Sequence, residues 1–341
     1  LDVFCLNYPK IKKITITGTN GKSTTSKLLF DILKEHKKDV RLTGNIGNPI
    51  LLEKKIKKNT IFIIEASSYQ LDYSKYFKSE YSILLNLSPD HLERHGNFKN
   101  YIKAKFKLIQ NQSKNNYAFI EKNNLLNSLI KRNKIQSRIC RVNYNKYQKY
   151  KKLIKNNYFD NISNFKNLTF IFELSKYFKL NLKKIIQVTN KFKGLNFRQQ
   201  IIYKSKKLLV INDSKSTSFS STKPLLESFE NIYWILGGLS KKGDKFKLNK
   251  KYFTKIHAFI YGKDKEFFSK VLNKKIKYKI SKDLSNSLFL IFKDIKKNFN
   301  SKNVILFSPS AASFDQFRNF EDRGRYFDKI IKNYIKKSRI I

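Results

Sequence analysis

The stretch Ile14–Thr25 reads ITITGTNGKSTT. Ile14 to Thr17 form a short β-branched run of strand type. Gly18 and Gly21 then allow a tight turn, with Thr19 and Asn20 between them, in which backbone N–H groups face phosphate oxygens at the start of a helix. Lys22 adds a point charge for the β- and γ-phosphates, and the hydroxyl of Ser23 or Thr24 suits Mg²⁺. The strict spacing G-x-x-x-x-G-K-[ST] is not met, because position 16 is isoleucine. A bare GKS says little, but GTNGKST directly behind a strand points to nucleotide phosphate binding.

Outward from this loop, strand-length apolar runs recur at Ile61–Glu65, Tyr81–Asn86, Tyr117–Ile120, Leu208–Asn212, Ile232–Leu236, His257–Tyr261 and Val304–Phe307. Several are apolar without interruption, the pattern of strands buried on both faces of a parallel sheet. Ser23–Glu35 and Phe98–Gln110 have helical spacing and no Pro or Gly between them. This alternation predicts an α/β architecture with mostly parallel sheets. The Lys/Asn-rich stretch Asn123–Asn164 has little periodicity and reads as short helices and loops. A helical segment, Leu182–Phe192, ends before Lys193-Gly194, and glycine just past a helix end is a stop signal. The expected division is therefore 1–194 and 195–341.

The chain has 341 residues, with 72 Lys+Arg against 25 Asp+Glu, a formal net charge of +47. Such a charge would attract polyanions. The lysines are spread along the whole chain, however, together with abundant Asn, Ile, Phe and Tyr, so compositional drift explains them better than a binding patch. No apolar run approaches the roughly 20 residues that span a bilayer. Cys5 and Cys140 are the two cysteines, which excludes a disulfide framework and a thiolate metal cluster. The first residues, LDVFCLNYPK, lack the features of a signal peptide. A cytoplasmic location is expected.

TGTNGKSTT resembles the corresponding segment of the Mur ligases, and later segments narrow the likeness to the branch that adds D-glutamate. GNIG (Gly44–Gly47) follows in its place. EASSYQL (Glu65–Leu71) is similar to E-L-S-S-F-Q-L, with Ala66 and Tyr69 as departures. LNLSPDHLERHG (Leu85–Gly96), INDSKST (Ile211–Thr217), ILGGLSKKGDKF (Ile235–Phe246) and SPSAASFDQFRNFEDRG (Ser308–Gly324) follow in order. The D-N-P-R signature of the diaminopimelate- or lysine-adding relatives is not in the sequence, and folylpolyglutamate synthases share only the phosphate loop. The resemblance runs from about Val3 to Ile330. It implies a central, mostly parallel P-loop ATPase domain and a smaller, Rossmann-like α/β C-terminal domain. The implied reaction is ATP- and Mg²⁺-dependent: UDP-N-acetylmuramoyl-L-alanine is activated as an acyl phosphate and joined to D-glutamate, in peptidoglycan synthesis. Members of the family carry a UDP-binding domain ahead of the phosphate loop. Only 17 residues precede Gly18 here, so that domain is expected to be missing or separately supplied. A monomer with no specific nucleic-acid or membrane partner is the expected form.

The resemblance also assigns roles. Ser23 and Glu65 are implied to hold the Mg²⁺ of ATP, and His91 a second Mg²⁺. A lysine in the following helix is carbamylated in the family; NYIKAKFKLI matches its Y-x-x-A-K and places that role on Lys105, between Lys103 and Lys107. Asn164 and Asn167 resemble an N-x-x-N that contacts adenine. Arg198 matches the arginine of a G-L-P-H-R that reaches the phosphates, with Asn196 and Phe197 replacing Pro and His. Asp213 is implied at the nucleotide, and Lys215 near the γ-phosphate and incoming amine. Asn45 and Ser67 are carried over as substrate-binding; Thr217, Lys241, Ser313 and Phe320 match positions that take D-glutamate, although Lys242 beside Lys241 leaves that register open. The rivals are a non-catalytic nucleotide-binding remnant and a polyanion-binding ATPase.

Overall fold

The uninterrupted apolar runs become the inner strands of two sheets in a computed structural model that describes residues 1–241, 243–297 and 302–337. The chain divides into two units, Leu1–Phe192 and Lys193–Ile341. The first holds β1 (Lys12–Thr17), β2 (Val40–Gly44), β3 (Ile61–Glu65), β4 (Tyr81–Leu84), β5 (Tyr117–Glu121) and β6 (Arg138–Val142), in the order β2-β3-β1-β4-β5-β6. Every pairing is parallel. Ahead of β1 stands α1 (Asp2–Asn7); between the strands run α2 (Lys22–Glu35), α3 (Ser68–Tyr73), α4 (Leu92–His95), α5 (Phe98–Gln110) and α6 (Asn124–Arg132), and after them α7 (Ile162–Tyr177) and α8 (Leu182–Lys191).

Successive residues of a strand point to opposite faces. Ile61 and Ile63 of β3 accordingly join a core with Leu28, Leu29 and Ile32 of α2, Phe165 and Ile171 of α7 and Ile185 of α8. Phe62 and Ile64 join the opposite core, with Phe4 of α1, Leu71 of α3 and Leu108 of α5. Both faces of the sheet are thus covered, as a parallel sheet requires.

The second unit repeats the architecture with β7 (Gln200–Lys204), β8 (Leu208–Asn212), β9 (Ile232–Gly237), β10 (Ile256–Tyr261), β11 (Lys277–Ile280) and β12 (Asn303–Phe307), in the order β11-β10-β9-β12-β8-β7. β7 is antiparallel to β8, and the other pairings are parallel. Leu288 and Ile291 of α11 (Leu284–Lys297) and Phe327 and Ile331 of α12 (Phe320–Lys337) cover one face. Phe219 of α9 (Phe219–Leu226) and Phe268 of α10 (Lys265–Leu272) cover the other. Mostly parallel α/β sheets are therefore what the sequence predicts and what the structure has.

Two expectations are corrected. The stretch 123–164 is not only helices and loops, because it contains the strand β6. The run from Tyr81 leaves the sheet after Leu84, and Asn86 turns instead to the phosphate loop.

Candidate active site

In the first unit β1 lies between β3 and β4, where the strand order reverses direction; open α/β sheets bind ligands at the carboxyl ends of such strands. The phosphate loop leaves β1 there. Gly21, the N-cap of α2, has φ +85°, and a Cβ on it would fall 2.2 Å from the Asn167 amide nitrogen. Glycine is needed at this position both for its backbone and for the close approach of α7. The loop is braced from the segment just past β4: the Asn20 N–H donates to Asn86 Oδ1 (2.8 Å), and Asn86 Nδ2 donates to the Asn20 carbonyl (2.9 Å). Thr19 Oγ1 meets the Tyr101 hydroxyl at 3.0 Å and accepts from the Ser88 N–H. Lys22 Nζ donates to the Gly18 and Thr19 carbonyls (3.0 and 2.8 Å), so its charge sits over the loop. Ser23 and Thr24 follow in the first turn of α2, with the Thr24 hydroxyl 3.2 Å from that of Tyr158.

Glu65 ends β3 and is buried. Its Oε1 accepts from Asn45 Nδ2 (3.1 Å), and its Oε2 has no hydrogen-bond partner. A buried carboxylate oxygen without a partner is costly unless something cationic completes it. Nearby, α5 turns Tyr101, Ala104, Lys105 and Leu108 inward, the spacing of one helix face. Lys105 is 1% exposed, whereas Lys103 is exposed and Lys107 half-buried. The Lys105 ammonium lies 4.9 Å from the Tyr101 ring centre and 3.4 Å from Thr17 Oγ1. Burial first, then the Lys22 charge, hold its pKa well below the usual lysine value, against the pull of Asp90 and Glu65. His91 adopts a left-handed backbone (φ +53°) at the start of α4, and its Nδ1 is 2.8 Å from the Tyr69 hydroxyl. Its Nε2 is 3.5 Å from the Asp90 carboxylate. Among the described residues no three His, Cys, Asp or Glu side chains form a metal-holding group.

Other expected residues are engaged locally. Ser67 caps α3, its hydroxyl accepting from the Gln70 N–H (3.2 Å). Asn164 Nδ2 donates to the Tyr158 carbonyl (2.9 Å), while Asn167 lies against Gly21.

The second unit gathers its motif residues at the carboxyl ends of β8, β9 and β12. Asp213, just past β8, accepts from Ser308 Oγ (2.8 Å) and the Gln199 N–H (3.0 Å). Burial pushes its carboxyl up to about 7, with Ser308, Gln199, Arg198 and Arg323 opposing. Lys215 Nζ lies 3.9 Å from the Phe320 ring centre, and the Arg198 guanidinium lies 5.9 Å from it. The loops after β9 and β12 are tied by a pair of bonds, Leu239 N–H to Ala312 O (3.0 Å) and Ala312 N–H to Leu239 O (2.8 Å). This brings half-buried Lys241 and buried Ser313 into neighbouring loops. Lys242 lies outside the described residues. Phe197, standing where the resemblance expects histidine, is buried against Gly324.

Residues 16–196 match the Mur ligase middle domain. The UDP-N-acetylmuramoylalanine--D-glutamate ligase of Rickettsia felis is 35% identical, over 98% of this chain and 78% of the relative. The chain belongs to the Mur ligase family. The enzymes of the same name from Rickettsia bellii and Rhizobium meliloti are 32% and 30% identical to this Mur ligase, over 97% and 94% of the chain and 78% and 73% of the relatives. Its fold is that of the MurF ligase of Thermotoga maritima in complex with ADP (TM-score 0.70, 16% identity, 97% of this chain and 82% of that one). MurF of Acinetobacter baumannii is similar as well (TM-score 0.72, 15% identity, 98% and 78%).

Three residues to which the sequence pattern gives no role are engaged in the structure. Asn86 braces the phosphate loop, Tyr69 bonds His91, and Arg323 is wholly buried in the second unit. All three stand inside segments quoted for the resemblance. Only their partners, distant in sequence, reveal what they do.

Proposed function

We propose that this Mur ligase is an ATP- and Mg²⁺-dependent enzyme that joins D-glutamate to UDP-N-acetylmuramoyl-L-alanine in peptidoglycan synthesis. The observation that carries the reading is the set of side chains at the two sheet ends. In the first unit these are a phosphate loop, a buried carboxylate with one unpartnered oxygen, and a buried lysine; in the second, Asp213, Lys215, Lys241 and Ser313 stand on adjoining loops. Relatives of this name match almost the whole chain.

The L-alanyl carboxylate attacks the γ-phosphorus of ATP, the bond to the ADP oxygen breaks, and an acyl phosphate forms. The amine of D-glutamate then attacks the acyl carbon, gives up a proton, and phosphate leaves with the former carboxylate oxygen. Charge accumulates on phosphate oxygens throughout, so positioned cations and N–H donors matter more than acid–base groups. In our assignment the N–H groups of Gly18–Thr24 and Lys22 hold the phosphates, with Arg198 and Lys215 adding charge. Asn164, Asn167 and Asp213 serve the nucleoside. Asn45 and Ser67 contact the nucleotide-sugar substrate. Thr217, Lys241, Ser313 and Phe320 receive D-glutamate, hydroxyl and cationic groups suiting a dicarboxylate.

Ser23, Glu65, His91 and Lys105 would hold two Mg²⁺ ions, which when bound offset phosphate charge. The unpartnered Oε2 of Glu65 fits a hard cation. An ammonium at Lys105 does not, but burial favours the neutral amine, which is the form that adds CO₂ to become an anionic oxygen ligand. The acyl-phosphate route is tested by labelling the L-alanyl carboxylate with oxygen-18. Transfer of label into inorganic phosphate is expected; unlabelled phosphate at full turnover would exclude the route.

A further inference from the structure

Arg323, in the first turn of α12, is fully buried yet no carboxylate of the described residues lies within 4.0 Å of it. Its hydrogen bonds all go to neutral acceptors. Nε donates to Ser214 Oγ (3.1 Å), and Nη2 donates to the carbonyls of Ser214 (2.8 Å) and Ala311 (2.9 Å). Nη1 has no hydrogen bond, although the buried Tyr261 hydroxyl is a neighbour. It stands against Gly238, where a Cβ would come within 3.3 Å of it. Taking a guanidinium out of water is expensive, and packing alone would be served by an apolar side chain.

The three contacts lie on three different loops. Ser214 follows β8, Gly238 follows β9 and Ala311 follows β12. A few residues further along each loop stand Thr217, Lys241 and Ser313. Ser214 Oγ also donates to the Phe320 carbonyl (2.8 Å), which links the same junction to Phe320. A planar fork with fixed donor directions can hold several carbonyls at a set spacing, which a lysine's point charge cannot.

We infer that Arg323 is a positioning residue for the amino-acid substrate: by holding these loops at fixed spacing it sets the affinity for D-glutamate. The inference rests on the assignment of Thr217, Lys241, Ser313 and Phe320 made above. In the full protein, Arg323→Lys should raise the KM for D-glutamate at least about tenfold, the worth of one charge-assisted hydrogen bond. By the same measure kcat, and ADP affinity read by titration, should move by less than about threefold. A KM for D-glutamate within about threefold of wild type overturns the inference, whatever happens to the melting temperature. Should Arg323→Lys fail to fold, Ser214→Ala removes the Nε acceptor and the Phe320 link with little change of volume, and the same split is read. Lys241→Ala separates the two levels. If it raises the KM for D-glutamate while Arg323→Lys does not, only the inference falls. If neither variant changes that KM, the substrate assignment falls and takes the inference with it.

Discussion

Replacing Asn86 by alanine removes both side-chain bonds that hold the phosphate loop at Asn20, at 2.8 and 2.9 Å, and leaves the backbone bond from Thr19 N–H to Asn86 O in place. Each such bond contributes about 1 kcal/mol net, so about 2 kcal/mol of loop order is lost. If the loop must then be ordered by the nucleotide itself, affinity falls by roughly 30-fold, since about 1.4 kcal/mol is a factor of ten. Calorimetric titration with ADP reads this directly, with thermal unfolding as a companion measurement. Asn86→Asp should be no better than alanine: it keeps an acceptor for the Asn20 N–H, loses the donor to the Asn20 carbonyl, and places an anion beside the phosphates. An ADP affinity for Asn86→Ala within about threefold of wild type would refute the reasoning that this side chain preorganises the loop.

Lys22→Ala should abolish ATP turnover while leaving the melting temperature close to wild type, because its ammonium donates to the Gly18 and Thr19 carbonyls of its own loop; normal turnover would contradict the phosphate-loop assignment. Lys105→Ala should lose most activity and regain part of it with added short carboxylic acids, whereas Lys103→Ala and Lys107→Ala should stay near wild type, since only Lys105 of the three is buried. Rescue at either neighbour instead would move the role along the helix. Asp213 has a folded pKa raised to about 7, so its folded state holds the proton more tightly than the unfolded chain. Its contribution to stability is present below the unfolded value of about 4 and is lost as pH rises through about 7. Asp213→Asn should therefore gain melting temperature relative to wild type as pH rises from about 5 to about 8; a difference independent of pH would mean that the carboxyl is not held protonated.

The strands legible in the sequence and those that were not divide along a physical line. The eight apolar runs read from the sequence correspond to β1, β3, β4, β5, β8, β9, β10 and β12, the inner strands of the two sheets. β2, β6, β7 and β11 were missed, and they are the four sheet edges. Inner strands are buried on both faces and so read as continuous apolar runs. An edge strand faces water on its open side and carries polar and charged residues; KYKI of β11 is exposed at all four positions. The phosphate loop was legible because its chemistry is local. Lys105 was reached through the likeness of NYIKAKFKLI to the family's Y-x-x-A-K, and the structure sets it on the buried face of Tyr101 and Leu108, away from exposed Lys103. Asn86 and Arg323 act on partners 66 and 109 residues away, and no local pattern marks such contacts. The Phe197 substitution shows the reverse case, in which a departure visible in sequence proved to be a buried packing contact with Gly324.

The central claim is the identity of the amine that is joined. With UDP-N-acetylmuramoyl-L-alanine, ATP and Mg²⁺, the product should be followed by mass spectrometry against a panel of amines. The account predicts phosphate release and a ligated product with D-glutamate, and little of either with L-lysine, L-alanine or diaminopimelate. Equal product from any of those amines would contradict it.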